Sequence, residues 1–177
     1  MVKTTNIDLR QLNSLSRSEA QDAFLKCCGS TAWAKAMSAA RPFATRDQLF
    51  LNADEVWWSL TEDDWLEAFG AHPKIGEQKA ATPQSADAQQ WSSQEQSESQ
   101  KAAGETKAAL ANGNREYERR FGFIFIICAS GKSADEILSA LNDRLNNEPS
   151  TELRLAAEEQ RKITRLRLAK LLEASPA

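Results

Sequence analysis

Apolar side chains recur every three or four residues along most of this chain, and this spacing restricts the fold more than any other feature of the sequence. Residues three and four positions apart share one face of an α-helix, so the pattern predicts helices that each bury one side. The spacing is clearest in two sets of residues: Leu49, Ala53, Val56, Trp57 and Leu60, then Ala134, Ile137, Leu138, Leu141 and Leu145. A last helix is predicted to start near Ser150. We predict an all-α fold in which residues 1–177 form a single compact multi-helix domain.

Helix start signals accompany this periodicity. Ser16 and Glu19 have the spacing of a capping box, in which each side chain accepts a hydrogen bond from the backbone of the other residue. Thr61 and Asp64 have the same spacing before a short helix.

The middle of the chain is less regular. Residues 79–91 are polar and predict a long loop. Helix is predicted to resume at Ser92, because Ser92 and Glu95 again have capping-box spacing, and to end at Asn112-Gly113.

One segment does not fit the helical pattern. Residues 121–130, with the sequence FGFIFIICAS, are aromatic and β-branched and resemble a buried strand. No second strand-like run exists to pair with it, so we expect either a short irregular or extended insert or a helix imposed by tertiary packing. In an extended conformation Phe121, Phe123 and Phe125 would share one face, which favours a core position.

Composition narrows the function. The net charge of −3 argues against a general nucleic-acid binder, and no apolar run is long enough to span a membrane. The N-terminus lacks the apolar region of a signal peptide. Of the three cysteines, Cys27 and Cys28 are adjacent and unsuited to pairing with each other, so we expect reduced, buried thiols and a cytoplasmic protein.

The only histidine, His72, lies in the turn FGAHPKIGEQ between two helical stretches. Imidazole titrates near neutral pH and can act as a general acid or base, and Pro73 restricts the backbone beside it. Glu77 and Glu95 are the carboxylates nearest in sequence that could tune the ring or orient a substrate. One histidine and scattered cysteines give no metal-ligand spacing, and no cofactor motif is present, so we expect neither a metal nor a cofactor.

Other interpretations remain open from the residues alone. The chain could be a non-enzymatic helical interaction domain that uses Trp57, Trp58 and Trp65 as anchors, although packing explains these tryptophans more simply. His72 could be a ligand in a metal-dependent hydrolase. Arg119 and Arg120 could meet a substrate carboxylate, or could be a solvated helix end.

Four blocks of sequence, in order, resemble the 2-oxo-4-hydroxy-4-carboxy-5-ureidoimidazoline (OHCU) decarboxylase family. The blocks are AHPKIGE, SSQEQS, YERRFGFIFIICASGKSADEIL and LRLAAEEQRKITRLRLAKLL. The resemblance implies an all-helical, cofactor-free decarboxylase, commonly a homodimer, that converts OHCU to (S)-allantoin and CO2 in the last step of urate degradation.

The resemblance also implies roles for particular residues. His72 and Glu95 match the catalytic histidine and glutamate, and Pro73 matches a substrate-binding proline. Two segments match the rest of the substrate site, the second of them largely through backbone groups. They consist of Ser92, Ser93, Gln94 and Gln96 around the glutamate, and of Phe125, Ile126, Ile127, Cys128 and Ala129.

Overall fold

A computed structural model of the protein describes residues 7–75, 85–97 and 104–172. These residues form nine α-helices and no β-strand, which confirms the predicted all-α class. The helices are α1 Leu9–Ser14, α2 Arg17–Cys27, α3 Thr31–Ala39, α4 Arg46–Ser59, α5 Glu62–Gly70, α6 Ala86–Glu95, α7 Gly104–Phe121, α8 Ala134–Arg144 and α9 Pro149–Leu171. None of the helices within the described ranges has both the length and the apolar character that a membrane span requires.

The chain divides into two compact units. The first extends to Ala68 and includes the chain from Arg161 onward, and the second is Phe69–Gln160. Helices α5 and α9 each contribute residues to both units.

Two of the three predicted capping boxes are present. The Ser16 hydroxyl accepts from the Glu19 N–H at 3.3 Å, and the Glu19 carboxylate accepts from the Ser16 N–H at 2.9 Å. Thr61 and Asp64 make the same exchange, at 3.3 and 3.0 Å. These bonds satisfy N–H groups that the first turn of a helix leaves without a helical acceptor.

Aromatic packing dominates the core of the first unit. Phe24 contacts Trp33 and Phe43 edge-to-face, with ring centroids 5.8 and 6.4 Å apart. The Trp65 indole N–H donates to the Trp57 carbonyl at 3.0 Å, and both side chains are buried. Trp57 and Trp65 are therefore core residues, while the third tryptophan, Trp58, is half-buried against Trp65.

None of the three cysteines is in a disulfide, and Cys128 is half-buried rather than buried as predicted. Cys27 and Cys28 are buried in the first unit, and burial raises the pKa of the Cys28 thiol to about 11. Burial also raises the pKa of Cys27. Both thiols are therefore protonated near neutral pH and act as small apolar core residues.

The core of the second unit forms around Tyr117. Its ring contacts Phe121, Phe123 and Phe125 at centroid distances of 4.7, 5.7 and 5.1 Å. Phe125 is buried, and Phe121 and Phe123 pack partly buried against the same cluster. Apart from Phe121, which ends α7, the strand-like segment is thus a non-helical insert rather than a helix, as one of the two expectations held. Gly122 and Gly131 flank the insert at positive φ angles of 80° and 77°, which glycine adopts without a Cβ clash.

The predicted helix boundaries between residues 79 and 113 are wrong. Helix α6 begins six residues before Ser92, because Ser85 caps it by accepting from the Ala88 N–H at 3.2 Å. Ser92 and Glu95 therefore lie in its last turns, where the capping-box spacing reflects two residues on one helix face. Residues 79–84 of the predicted loop lie outside the described residues.

The predicted helix end at Gly113 is also wrong. Helix α7 continues to Phe121 and stops at Gly122, whose N–H donates to the Glu118 carbonyl at 2.8 Å. Gly113 serves close packing instead: a Cβ built on it would lie 2.5 Å from Leu141 Cδ2 on α8.

Replacing Gly113 by alanine is expected to destabilise the protein, although alanine is the better helix former by about 1 kcal/mol. Overpacking against Leu141 costs about 1–3 kcal/mol and outweighs this gain. Urea denaturation measures the difference. Gly104→Ala is the matched control, because a Cβ at Gly104 meets nothing within 4 Å. In a Leu141→Ala background, Gly113→Ala should lose its cost, and an equal cost in both backgrounds would contradict this explanation.

Candidate active site

His72 lies just after α5, in a segment that α7 holds in place. The His72 N–H donates to the Phe69 carbonyl at 3.1 Å, which closes a turn at the end of the helix. Asn114 Nδ2 donates to the Ile75 carbonyl at 3.2 Å, and Lys74 Nζ lies 2.7 Å from the Glu118 carboxylate. His72 and Pro73 are both buried. The segment thus holds the imidazole in a fixed place.

The ring of His72 has a polar partner on α9. Its Nε2 lies 2.7 Å from Oε1 of Gln160, a residue 88 positions away in sequence. Gln160 is fully buried, and His72 is 8% exposed. Sequence analysis proposed Glu77 or Glu95 as the partner; Glu77 lies outside the described residues. Nothing local in the sequence marks Gln160, since only the folding of α9 brings it to the loop.

The segment around Glu95 forms the end of α6. Ser92 and Gln96 are buried and Glu95 is half-buried, whereas Ser93 and Gln94 are exposed. Residues three and four positions apart share a helix face, so the three less exposed residues form one side of this turn. Glu95 is not a helix N-cap partner, so it does not have the capping role that its spacing from Ser92 predicted.

The segment Phe125–Ala129 is mostly buried and irregular, and its backbone is held at two points. Arg144 Nη1 donates to the Ile126 carbonyl at 2.8 Å, and the Glu159 carboxylate accepts from the Cys128 N–H at 2.8 Å. Between them, the Ile127 N–H and carbonyl make no hydrogen bond within the described chain. A fixed backbone with available donor and acceptor groups is suited to binding a ligand rich in amides.

Three predicted parts of the site meet in the second unit. Glu159 and Gln160, adjacent on α9, bind the Cys128 backbone and the His72 ring respectively. Burial raises the pKa of the Cys128 thiol, and the carboxylates of Glu159 and Glu95 raise it further. Glu95 is therefore near enough to act electrostatically on the Phe125–Ala129 segment. Neither Glu159 nor Gln160 was predicted from the sequence.

A buried ion pair fixes the other side of this segment. Glu152 is fully buried, and its Oε1 accepts from Arg144 Nε at 2.8 Å and Nη2 at 2.5 Å. The Tyr117 hydroxyl donates to the same oxygen, and Asn147 Nδ2 donates to Oε2 at 2.8 Å. Burial raises the pKa of Tyr117, and its bond to Glu152 raises it further. The guanidinium of Arg144 also lies over the Phe125 ring, 4.6 Å from its centroid.

Two other interpretations of the sequence concerned a metal site and the roles of Arg119 and Arg120. Within the described residues, no three His, Cys, Asp or Glu side chains lie close enough together to hold a metal ion. Arg119 and Arg120 are exposed in the last turn of α7, and Arg120 donates to the Asn147 carbonyl at 3.0 Å. Their position is that of a helix end, where positive charge is favourable.

Together these features describe a small-molecule site: a buried imidazole, a nearby carboxylate and a fixed apolar segment with available backbone groups. The sequence model of the OHCU decarboxylase family matches residues 13–169. The chain belongs to the OHCU decarboxylase family.

Individual relatives agree with this assignment. The 2-oxo-4-hydroxy-4-carboxy-5-ureidoimidazoline decarboxylase of Haloferax volcanii is 32% identical to this chain, and the match covers 92% of this chain and 95% of that protein. The decarboxylase of the same name from Amia calva is 33% identical, and the match covers 94% of this chain and 95% of that protein. The uric acid degradation bifunctional protein TTL of Arabidopsis thaliana is 42% identical over 85% of this chain, which spans about half (47%) of that protein. A crystal structure of an OHCU decarboxylase in the presence of (S)-allantoin is 41% identical and has a TM-score of 0.75, covering 86% of this chain and 99% of that one.

The buried pair of Arg144 and Glu152 is expected to show strong coupling in a double-mutant cycle. Arg144→Leu leaves Glu152 buried without its main countercharge and should cost about 3–5 kcal/mol of unfolding free energy. Arg144→Leu/Glu152→Leu should cost clearly less than the two single changes summed, because it leaves no unpaired charge. Urea denaturation of the four proteins measures this. Additive costs would show that the pair does not act as a unit.

Proposed function

We propose that this protein decarboxylates OHCU to (S)-allantoin and CO2, the last step of urate degradation. The observation that carries the proposal is that the only histidine of the chain is buried against α9. It lies in the same unit as both predicted binding segments, and the chain belongs to this family. Relatives of nearly equal length that bear the name of this activity support it.

The protein itself needs to do little covalent chemistry in this reaction. The bond between the carboxylate and the hydroxyl-bearing ring carbon breaks, CO2 leaves, and the electron pair moves into the adjacent C=N bond of the imidazoline. The hydroxyl-bearing carbon then becomes a ring carbonyl by losing its hydroxyl proton. The former imine nitrogen and the other ring carbon, which carries the ureido group, each gain a proton, so the reaction consumes one proton overall. Because the substrate supplies its own electron sink, we propose that neither a cofactor nor a metal takes part.

His72 is the acid/base in this proposal. An imidazole can give and take a proton near neutral pH, and delivery to one face of the ureido-bearing carbon would yield only the S enantiomer. The contacts of Ile75 and Lys74 with α7 keep the ring in place, and Pro73 lines the same turn. A fixed ring is required because stereochemical control depends on the direction of proton delivery.

The two binding segments orient the substrate in complementary ways. Glu95 accepts a charge-assisted hydrogen bond from the substrate hydroxyl or a ureido N–H. Ser92 and Gln96, buried on the same side of the α6 turn, provide neutral polar groups, and we place Ser93 and Gln94 at the exposed margin. The Ile127 backbone, fixed between the anchored Ile126 and Cys128, pairs with the ring amides.

Replacing His72 tests the central step. His72→Ala and His72→Asn should each reduce kcat by about 10²–10⁴-fold. The asparagine variant keeps a polar side chain that can contact Gln160 but cannot exchange a proton near neutral pH, so it separates proton transfer from hydrogen bonding. The substrate is generated in place from urate by the two preceding enzymes, and circular dichroism follows the sign and rate of allantoin formation. Wild-type rate and stereochemistry in either variant would overturn the role of His72.

Glu95→Gln serves as the second arm of this experiment. The amide retains size and hydrogen bonding but loses the charge, so kcat/KM should fall while the free energy of unfolding stays near wild type. A loss of stability without a loss of activity would instead assign Glu95 a structural role.

We further propose that the protein is a cytoplasmic homodimer whose two units act as one domain. The family match runs through both units, and the buried, reduced thiols suit a reducing compartment. Light scattering coupled to size-exclusion chromatography should give about twice the chain mass of 19.6 kDa. A mass equal to one chain across micromolar concentrations would contradict the dimer without affecting the proposed reaction.

A further inference from the structure

We propose that Gln160 is the positioning residue of His72, and that its neutral amide keeps the imidazole able to exchange a proton near neutral pH. This inference rests on the proposed function for its catalytic meaning. The contact that carries it is the 2.7 Å hydrogen bond between His72 Nε2 and Gln160 Oε1, between two buried side chains.

Burial makes this hydrogen bond determine the orientation of both side chains. A polar group away from water is costly unless it is paired, so the amide and the ring fix each other's orientation. Fixing Nε2 also restricts which tautomer the neutral ring adopts, because the protonation of one ring nitrogen depends on the partner of the other.

The neutrality of the partner matters as much as its position. A carboxylate in hydrogen-bond contact favours the imidazolium form and raises the pKa of a histidine. The two residues that precede Gln160, Glu158 and Glu159, carry carboxylates, whereas Gln160, which bonds to the ring, carries a neutral amide. An acid/base works best when its pKa lies near the working pH, which a neutral partner permits.

Several charged groups on the surrounding elements make contacts of their own. Lys74, on the same segment as His72, pairs with Glu118 of α7. Glu159 of α9 binds the Cys128 backbone. Glu95 of α6 acts on the Cys128 thiol and is the carboxylate assigned here to the substrate.

The same turn of α9 also sets the distance between the proton-transferring group and the binding segment. Glu159 holds Cys128 and Gln160 holds His72, and a helical turn is a rigid spacer. A change at Gln160 should therefore affect the chemical step more than substrate binding.

The single histidine allows this to be tested directly. In uniformly ¹⁵N-labelled protein purified without a histidine tag, every imidazole nitrogen signal belongs to His72. Long-range ¹H–¹⁵N correlation spectra across a pH series report its tautomer and pKa in wild type, Gln160→Glu and Gln160→Leu. Gln21→Leu, the same change at a half-buried glutamine on α2, is the control.

Gln160→Glu should raise the pKa of His72 relative to wild type, and the limb of the kcat–pH profile that reports His72 should move to higher pH with it. Gln160→Leu removes the group that bonds to Nε2, so the tautomer balance of the ring should differ from that of wild type. Its kcat should fall by about 10- to 100-fold with little change in KM. Gln21→Leu should match wild type in all these measurements.

A His72 pKa and kcat–pH profile unchanged in Gln160→Glu would overturn the inference, as would a single wild-type tautomer in Gln160→Leu. Gln160→Leu keeps the inference testable if the buried charge of the glutamate variant prevents folding. Failure of the proposed function is separate: wild type would then form no (S)-allantoin, which removes the catalytic meaning of Gln160, while the spectra still show whether it holds the ring.

Discussion

The buried carboxylate of Glu152 is the interaction on which the second unit depends. A fully buried charge is tolerated only when it is paired and hydrogen-bonded, and Glu152 is bound by Arg144, Tyr117 and Asn147. These partners come from α7, the end of α8 and the loop before α9, so satisfying one carboxylate fixes three elements against one another. The same guanidinium holds the Ile126 carbonyl, which ties the irregular binding segment to this network.

Helix α9 extends this constraint to the rest of the site. Glu152 and Glu159 are seven residues apart and thus lie on the same helix face, about 10 Å apart along the axis. One anchors the network behind the binding segment, and the other binds that segment at Cys128. Gln160 follows directly and reaches His72. A single helix therefore positions the backbone that would bind the substrate and the ring that would exchange its proton, and a helix does this with little freedom to move.

The sequence was most informative where an element is determined by its own residues. The helices around Leu49 and Leu141 follow from periodicity, and the starts at Ser16 and Thr61 follow from capping boxes that need only residues three apart. It misled where the same local pattern has two meanings. Ser92 and Glu95 have capping spacing, but they lie at the end of α6 because Ser85 had already capped that helix. Gly113 is typical of a helix end, but it lies inside α7 because Leu141 requires the space.

By itself, the sequence determined the all-helical class, the membership of the OHCU decarboxylase family and the special position of His72, because caps, periodicity and ordered motifs are encoded within short stretches. It also marked residues 121–130 as exceptional. Only the tertiary structure decided that this segment is neither strand nor helix, since Arg144 and Glu159 take up its backbone groups from elsewhere in the chain. The tertiary structure alone also decided that the partner of His72 is Gln160, because a contact across 88 residues depends on how α9 folds back and leaves no local trace.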